Sequence, residues 1–593
     1  MRATIQGYGQ SGLFVKRTGL EIQLPERVFG KGWKGLKEHL VEALGRRSCI
    51  VFQPRIMTQR DKGEHAPRWK ESKVDALSGL LYLLKVPVKH ELVRLWQVID
   101  WGEINRIAAP LYNNAHGGCS AWAPAQLMAM LLLMFLYGVA HETQVVARVR
   151  ENIVWCWFCG FGLFGPFPAH DALYELRKRL GREKFEELLT MVVRACLEAK
   201  LVSNELAHFD LTPVIAAAHR WSPYERAVIL SRALMRYMEL VWGEQTPEEP
   251  FPEALRELAV KVAIECLPHK GIKDVKPERI VASVEQWEQQ AQGSEPVWQT
   301  TSEAIVETLA ATEEPLDWRE LIKGPSDKLR AWLKSRAKKV LEQMPHARGD
   351  QQARVGRTTN YTWFCGYLMG FVVDNAHQVI TAVVWAAGNV KQYKTLKPAL
   401  KAHIQRLGQP KALSTDSAFD EFEVHSILKQ QGIMGHITSR DHSQPRDGGY
   451  GTDRVTWVEG MQQPLCPGEK LLRAIGQAQQ GRQVFEGTAC TGCTLYTQCY
   501  PSGEDQPKRF TLHVAAHRRW QENRVHCQSP VYKAAQRDRF TSEGRFGLAK
   551  MNHHGDRAPY RSANMNRIAG LMIATVMNFR ILARHQHQEA KFA

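Results

Sequence analysis

A chain of 593 residues, 44% of them hydrophobic, has material for roughly three to four domain-sized units and is neither a low-complexity nor a disordered protein. Its formal charge of +17 and pI near 9.3 point to a polyanionic partner. The longest apolar run has 14 residues, Leu127 to Ala140, short of the about 18 to 20 that span a bilayer. It reads as a buried helix in a soluble, cytoplasmic protein with no membrane partner, and "MRATIQGYGQSG" lacks the apolar core of a signal peptide.

Residues 1–90 hold 17 basic and 8 acidic side chains and form a basic N-terminal region, a candidate DNA contact. Within it, "GWKGLKEHLVEALG" has the pattern of an amphipathic helix capped at Gly45. Residues 91–200 read as helical throughout, including "FEELLTMVVRACLEAKL". The pattern then changes to "ELAHFDLTPV", a short strand expected to stop at Pro213. Residues 217–349 return to helical segments with Pro-rich breaks. This insert is acidic, with 18 acidic against 7 basic residues between Glu239 and Glu320.

After the insert, "WFCGYLMGFVVDNAHQVITAVVWAAG" reads as two strands joined at Asp374 to His377. A helix closed by Gly408, the strand "KALSTD", a helix ending at Gly432 and the strand "IMGHI" follow. Strand, helical insert, two strands, helix, strand, helix, strand is the order of a mixed α/β sheet with helices packed on it. Residues 501–593 are basic again, 16 against 7.

Asp210 in "HFDLTP" and Asp416 in "LSTDSAF" fall at or near strand ends, where a carboxylate is held rigidly. Asp416 is also placed to cap the helix that follows it. In "QRDRFTSEGRFGLAK", Arg539, Glu543 and Lys550 are separated by four and seven positions and share one face of a continuous helix. The bland reading is an i,i+4 surface pair worth a few tenths of a kcal/mol. Three carboxylates together suit two divalent ions about 3.5 to 4 Å apart, with cations alongside to hold phosphate.

These residues resemble the DDE transposases of bacterial insertion sequences. The third-carboxylate region of that family carries a tyrosine, arginine, glutamate, lysine signature with two, three and six intervening residues; Arg539, Glu543 and Lys550 reproduce it and Gln536 stands in the tyrosine's place. "HFDLTPV" resembles the first-aspartate strand and "STDSAFDEFEV" the second-aspartate strand and helix. "ARVGRTTNYTWFCGYLMGFVVD" resembles the family's second strand and its approach, and the resemblance covers most of Glu91 to Gln586. It implies a ribonuclease H-like catalytic core of 201–216, 350–440 and 510–593, interrupted by the helical insert and preceded by the helical domain. It further implies Asp210, Asp416 and Glu543 as catalytic ligands of Mg²⁺ or Mn²⁺, Arg539 and Lys550 on phosphate, double-stranded DNA as partner, at least a homodimer on DNA, and a bacterial, nucleoid-associated location. A nuclease that cuts without joining and a non-catalytic DNA-binding protein are the rivals.

Cys466, Cys490, Cys493 and Cys499, in "CPGEK" and "CTGCTLYTQC", form a second pattern within 441–509. Four thiolates satisfy tetrahedral Zn²⁺ with no open position, which makes that ion structural. Cys527 and His526 are substitute ligands, and one branch of the family carries such a cysteine cluster before its glutamate. Cys156 and Cys159, between aromatics in "WCWFCG", read as core. Arg557 and Arg561 are candidate phosphate contacts or a solvated face. Tyr560 suits base stacking or packing, Asp374 the hairpin turn, and His208, His553 and His554 ordinary partly buried positions.

Overall fold

The computed structural model describes residues 8–9, 12–17, 20–24, 69–70, 74–112, 121–245, 248, 250–267, 275–290, 326–343, 347–350, 352–357, 362–440, 449–458, 460–501 and 506–592. A short antiparallel meander, β1 (Tyr8–Gly9), β2 (Gly12–Arg17) and β3 (Leu20–Leu24), comes first. The amphipathic segment ending at Gly45 lies outside the described residues.

Among the described residues seven α-helices follow: α1 (Ala76–Lys85), α2 (Glu91–Val98), α3 (Trp101–Ala108), α4 (Pro124–Leu136), α5 (Glu142–Glu151), α6 (Ile153–Phe158) and α7 (His170–Glu198). Asp75 and Asp100 cap α1 and α3 by accepting from Ser78 N and Glu103 N, satisfying amides that a first turn leaves unpaired. The apolar run becomes α4, which opens on Pro124 and buries every one of its residues. A helix apolar on all sides belongs in a core. Among the described residues no helix is long and apolar enough to cross a membrane. Cys156 and Cys159 are buried as expected, the Tyr82 hydroxyl donating to Cys156 Sγ at 3.1 Å.

The chain then enters β4 (Leu206–Ile215). The acidic insert leaves from its end through β5 (His219–Arg220), which pairs antiparallel with β6 (Ala347–Arg348) as a neck. Between them, α8 (Pro223–Gln245), α9 (Glu253–Cys266), α10 (Pro277–Gln290) and α11 (Ser326–Gln343) pack around their own core, which includes Leu230, Met238, Val260, Ala263 and Leu333.

Beyond the neck come β7 (Arg354–Arg357), β8 (Trp363–Asp374), β9 (Ile380–Ala387), α12 (Leu396–Leu407), β10 (Ala412–Thr415), α13 (Phe422–Gln430) and β11 (Met434–Ile437). Across the sheet the order is β11, β10, β4, β8, with β9 and β7 both paired to β8. β10 is parallel to β4 and β11, whereas β8 is antiparallel to β4, β7 and β9. This mixed sheet reproduces the expected element order with one strand more, β7, which pairs along the first residues of β8. One face, with Phe209, Val372 and Leu413, packs on α12 and α13 through Leu400 and Leu428, and on Phe419 from the turn before α13. The other, with Tyr367, Phe371 and Val383, shares a core with the N-terminal helices and the last helix, α17 (Ala563–Phe592).

Pro213 does not end β4, which continues to Ile215 and pairs Pro213 with Leu368. Ile215 N donates away from β8, to the Asp556 carbonyl at 2.8 Å. Alternation puts the Pro213 nitrogen on that same side, where β10 has already ended, so no ladder bond is lost.

Between β11 and α17 lie a small antiparallel sheet, β12 (Leu472–Gln479), β13 (Arg482–Gly487) and β14 (Arg509–His513), the short helix α14 (Tyr496–Cys499), and two longer helices, α15 (Val514–His526) and α16 (Pro530–His553). Val455, Leu472, Phe485, Phe510 and Leu512 make the small sheet's core, which thus extends past residue 509.

Candidate active site

β4 and β10 stay in register as far as His208 and Ser414, which pair directly. Asp210 and Asp416 each lie two residues further on, so the ladder sets them side by side where the strands part; Asp210 is in the middle of β4 rather than near its end, because β4 runs on to Ile215, and Asp416 lies just past β10. Farther along the same edge of β4, residues 556–558 take over: Ile215 N donates to Asp556 O and Ala558 N to Ile215 O, both at 2.8 Å. Between these two partners β4 has an open edge among the described residues, and Asp210 stands at it.

Asp210 Oδ1 accepts from the Leu211 amide at 2.7 Å. Asp416 caps the single turn Ser417–Phe419, accepting from Ala418 N at 3.0 Å, so the capping role and the strand-end position hold together. Burial and then the neighbouring Asp416 charge push the Asp210 carboxyl up to about 6. Burial likewise raises Asp416. Two carboxylates drawn out of water beside one another favour protonation unless a cation joins them.

Arg539, from α16, supplies such a cation to both carboxylates, and Arg440 adds to it at Asp416. That helix is capped by Ser529, begins on Pro530 and runs unbroken through Gly544 and Gly547, whose outward positions face open space. Arg539 Nη1 reaches Glu543 Oε1 at 2.8 Å and Asp210 Oδ2 at 3.5 Å. Its side chain is only 13% exposed while that of Glu543 is 40% exposed, so the pair sits at the rim of the cleft, sheltered on the arginine's side. Lys550 shares the face, half-buried, about 10 Å along the axis from Glu543.

Sequence reading did not identify what holds α16 in place. Phe546 stacks on Phe371 with ring centroids 4.8 Å apart. The hairpin turn receives Asp538, whose Oδ2 accepts from Asn375 Nδ2 at 3.0 Å, and Ser542, which donates to Gln378 Oε1 at 2.8 Å. Asn375 Oδ1 in turn meets His208 Nε2 at 3.0 Å. Gln536 donates to His436 O at 2.9 Å and Ser414 Oγ at 3.2 Å, while its Oε1 accepts from Arg539 Nε at 2.9 Å. The signature spacing pointed to position 536; no pattern pointed to Asp538. Asp374 is fully buried and accepts from the amides of Ala376, Asn204 and Ser203, fixing the turn and the entry to β4 together.

The other candidates separate from the cleft. Arg557 is 72% exposed and lies 4.0 Å from Asp556 Oδ2, while Arg561 packs by Gly349 at the neck of the insert. Neither contacts the carboxylates among the described residues. Tyr560 packs: its ring lies 3.9 Å from the Arg177 guanidinium, and its hydroxyl donates to Glu142 Oε1 at 3.4 Å. His553 Nδ1 bonds the Phe135 carbonyl at 2.6 Å, and His554 is the left-handed cap of α16.

Three of the four thiols lie against glycines. A Cβ at Gly468 would meet Cys493 Sγ at 3.4 Å and Cys466 Sγ at 3.8 Å, and one at Gly487 would meet Cys490 Sγ at 2.5 Å. Burial raises Cys499, with the nearby Cys493, Cys466 and Cys490 adding to it. Cys527 and His526 are elsewhere, on the Ile437 carbonyl at 3.4 Å and against His436 at 3.0 Å, and do not substitute for any of the four. Among the described residues, no three His, Cys, Asp or Glu side chains stand as a ready-made metal-holding group, at the thiols or at the carboxylates. At the carboxylates, Arg539 stands between two members of the set.

Comparison with known families matches residues 82–179 to a transposase domain (DUF772) and residues 465–583 to a transposase DDE domain. Both matches support a DDE-class transposase of insertion sequences. The second match takes in the four thiols and the Arg539, Glu543 and Lys550 helix; Asp210 and Asp416 lie before it. A protein of Rhizobium meliloti, described as uncharacterized protein ORF8 in the nfe locus, is 33% identical over 129 residues, which make up 21% of this chain and 61% of that protein. The chain thus spans less than two thirds of that relative.

Proposed function

We propose that this protein cuts double-stranded DNA at the ends of its own mobile element and joins the freed 3′ hydroxyl to target DNA. The observation that carries the reading is the register of β4 and β10, which brings Asp210 beside Asp416 while Arg539 ties Asp210 to Glu543 on α16. The order β9, β8, β4, β10, β11, with the first three antiparallel and the last two parallel to β4, supports a ribonuclease H-like core, to whose edge β7 is added.

The donor types suit a hard cation, since three carboxylates are neighbours and two of them, Asp210 and Asp416, are half-buried with raised proton affinity. Mg²⁺ or Mn²⁺ held by Asp210, Asp416 and Glu543 would activate the attacking oxygen and stabilise the leaving one. Arg539 orients two of those carboxylates and offsets their charge, and Lys550 extends the positive face toward the phosphate backbone. Arg557 and Arg561, on the chain that follows α16, contact DNA farther from the reacting phosphate. Two ends cut in concert call for at least a dimer on DNA. The four thiols would hold a structural Zn²⁺, a reading supported by the nearness of Cys466, Cys490 and Cys493 to Cys499 and by the tight Cys490 to Cys493 turn, with Gly492 at φ +76°.

The test is cleavage and joining on a labelled duplex carrying the element ends, with Mg²⁺, comparing wild type with E543Q. Joined products from wild type alone support the reading. Cleavage without joining makes the protein a nuclease, and tight end binding without cleavage in Mg²⁺ or Mn²⁺ makes it a DNA-binding protein.

A further inference from the structure

Position 536 is where this chain departs from the tyrosine usual in its family, and the side chain there is engaged at both ends. The amide nitrogen of Gln536 faces acceptors at the ends of two strands: His436 O at 2.9 Å, Ser414 Oγ at 3.2 Å and Thr415 O at 3.4 Å. Two of these are carbonyls that only accept, so the amide has one workable orientation. Its oxygen is thereby turned to Arg539, whose Nε donates to it at 2.9 Å. The same guanidinium uses Nη1 for Glu543 and Asp210.

A planar guanidinium held on two edges has its rotation fixed. We propose that Gln536 is a positioning residue that sets the plane of Arg539, and through it the placement of Glu543 relative to Asp210. This rests on the catalytic reading above. Gln536 itself touches neither the carboxylates nor the place of the reacting phosphate. Its contribution is geometric: it links the ends of β10 and β11, which carry Asp416 and His436, to the helix that carries the third carboxylate. Displacement of a reacting group by about 1 Å is enough to cost on the order of 100-fold in rate.

The experiment compares Q536M, Q536E, R539A and the double variant Q536M/R539A by single-turnover cleavage and by end-binding affinity. Q536M should lose about 10-fold to 100-fold in cleavage rate with affinity for the ends unchanged. The double variant should be no slower than R539A, because Gln536 acts through that arginine. Q536E keeps an oxygen for Arg539 Nε but loses the amide donors, so it should cleave faster than Q536M.

A structural role confined to docking the helix predicts the opposite pair of results: losses that multiply in the double variant, and Q536E slower than Q536M because its carboxylate faces two carbonyls. Either result overturns the proposal, as does a Q536M protein that cleaves like wild type. Should Q536M melt more than about 5 °C lower, the order of Q536E and Q536M at a temperature where both are folded decides. A wild-type protein that binds ends and never cleaves overturns the catalytic reading instead, and is thereby distinguished from failure of the positioning role.

Discussion

The carboxylate cleft and the cysteine cluster assemble their side chains on opposite kinds of support. Asp210 and Asp416 ride on parallel strands whose register leaves them little choice of place, and Glu543 rides on a helix docked by Gln536, Asp538, Ser542 and Phe546. The thiols sit on turns and one helical turn around a five-residue apolar core. A rigid scaffold can hold like charges together at a cost to stability, whereas turns hold thiols in place only when something else binds them. The cleft is therefore expected to lose chemistry and keep its fold when a ligand is removed, and the insert to lose its fold.

The largest effect tests the first half. D416A should reduce cleavage by about 1000-fold or more while end binding and the melting temperature of the metal-free protein are retained. Loss of binding along with cleavage would make Asp416 a structural cap of Ser417–Phe419. The next effect tests the second half. Wild type should carry about one zinc per chain by elemental analysis, and C490S/C493S should carry none and become protease-sensitive between β11 and α15. A zinc-free wild type with a protected insert would erase the contrast, leaving the four thiols as packing.

A smaller effect sharpens the comparison from the side of stability. The Asp210 carboxyl, raised to about 6 by burial and the Asp416 charge, binds a proton in the folded state that it lacks in the unfolded chain at pH 5. Stability from this group is full below the unfolded value of about 4 and is lost as pH rises through about 6. Metal-free D210N should therefore be more stable than wild type at pH 7.5 by about 1 to 3 kcal/mol, with the difference vanishing toward pH 4. Mg²⁺ should raise the melting temperature of wild type but not of D210N. A D210N protein no more stable at pH 7.5 would mean that Arg539 already neutralises the cleft.

Much of this architecture was legible because periodicity separates strands from helices even where boundaries slip. The order of strands and helices, the buried run at α4, and the shared face of Arg539, Glu543 and Lys550 follow from spacing alone. Pro213 misled, because a proline forbids only a donated bond, and whether one is needed depends on a neighbouring strand's length. Gly544 and Gly547 lower helix propensity, yet α16 passes through both, held by tertiary contacts on its other side. Gln536, Asp538 and Asn375 were illegible as a network, since their partners lie 100 to 167 positions away and no local pattern encodes a contact between distant segments. Tyr560 shows the reverse: an aromatic in a basic, polar stretch suits stacking on a base, but the fold turns it onto Arg177.

The smallest effect concerns the rim, where neither kind of support applies. Arg557 is mostly exposed on a segment hydrogen-bonded to the end of β4, and Arg561 lies against the neck of the insert. Charges of this kind add affinity through phosphate contacts without ordering the cleft, so R557A and R561A should each lower the slope of log affinity against log salt by about 1. Cleavage at saturating protein should stay near wild type, because the carboxylates and Arg539 are untouched. Measured on end duplexes from low to moderate salt, an unchanged slope would assign both arginines to the solvated face and move the DNA path toward Lys550. An unchanged slope with slower cleavage would place them at the reacting phosphate, joining the rim to the cleft that it is here distinguished from.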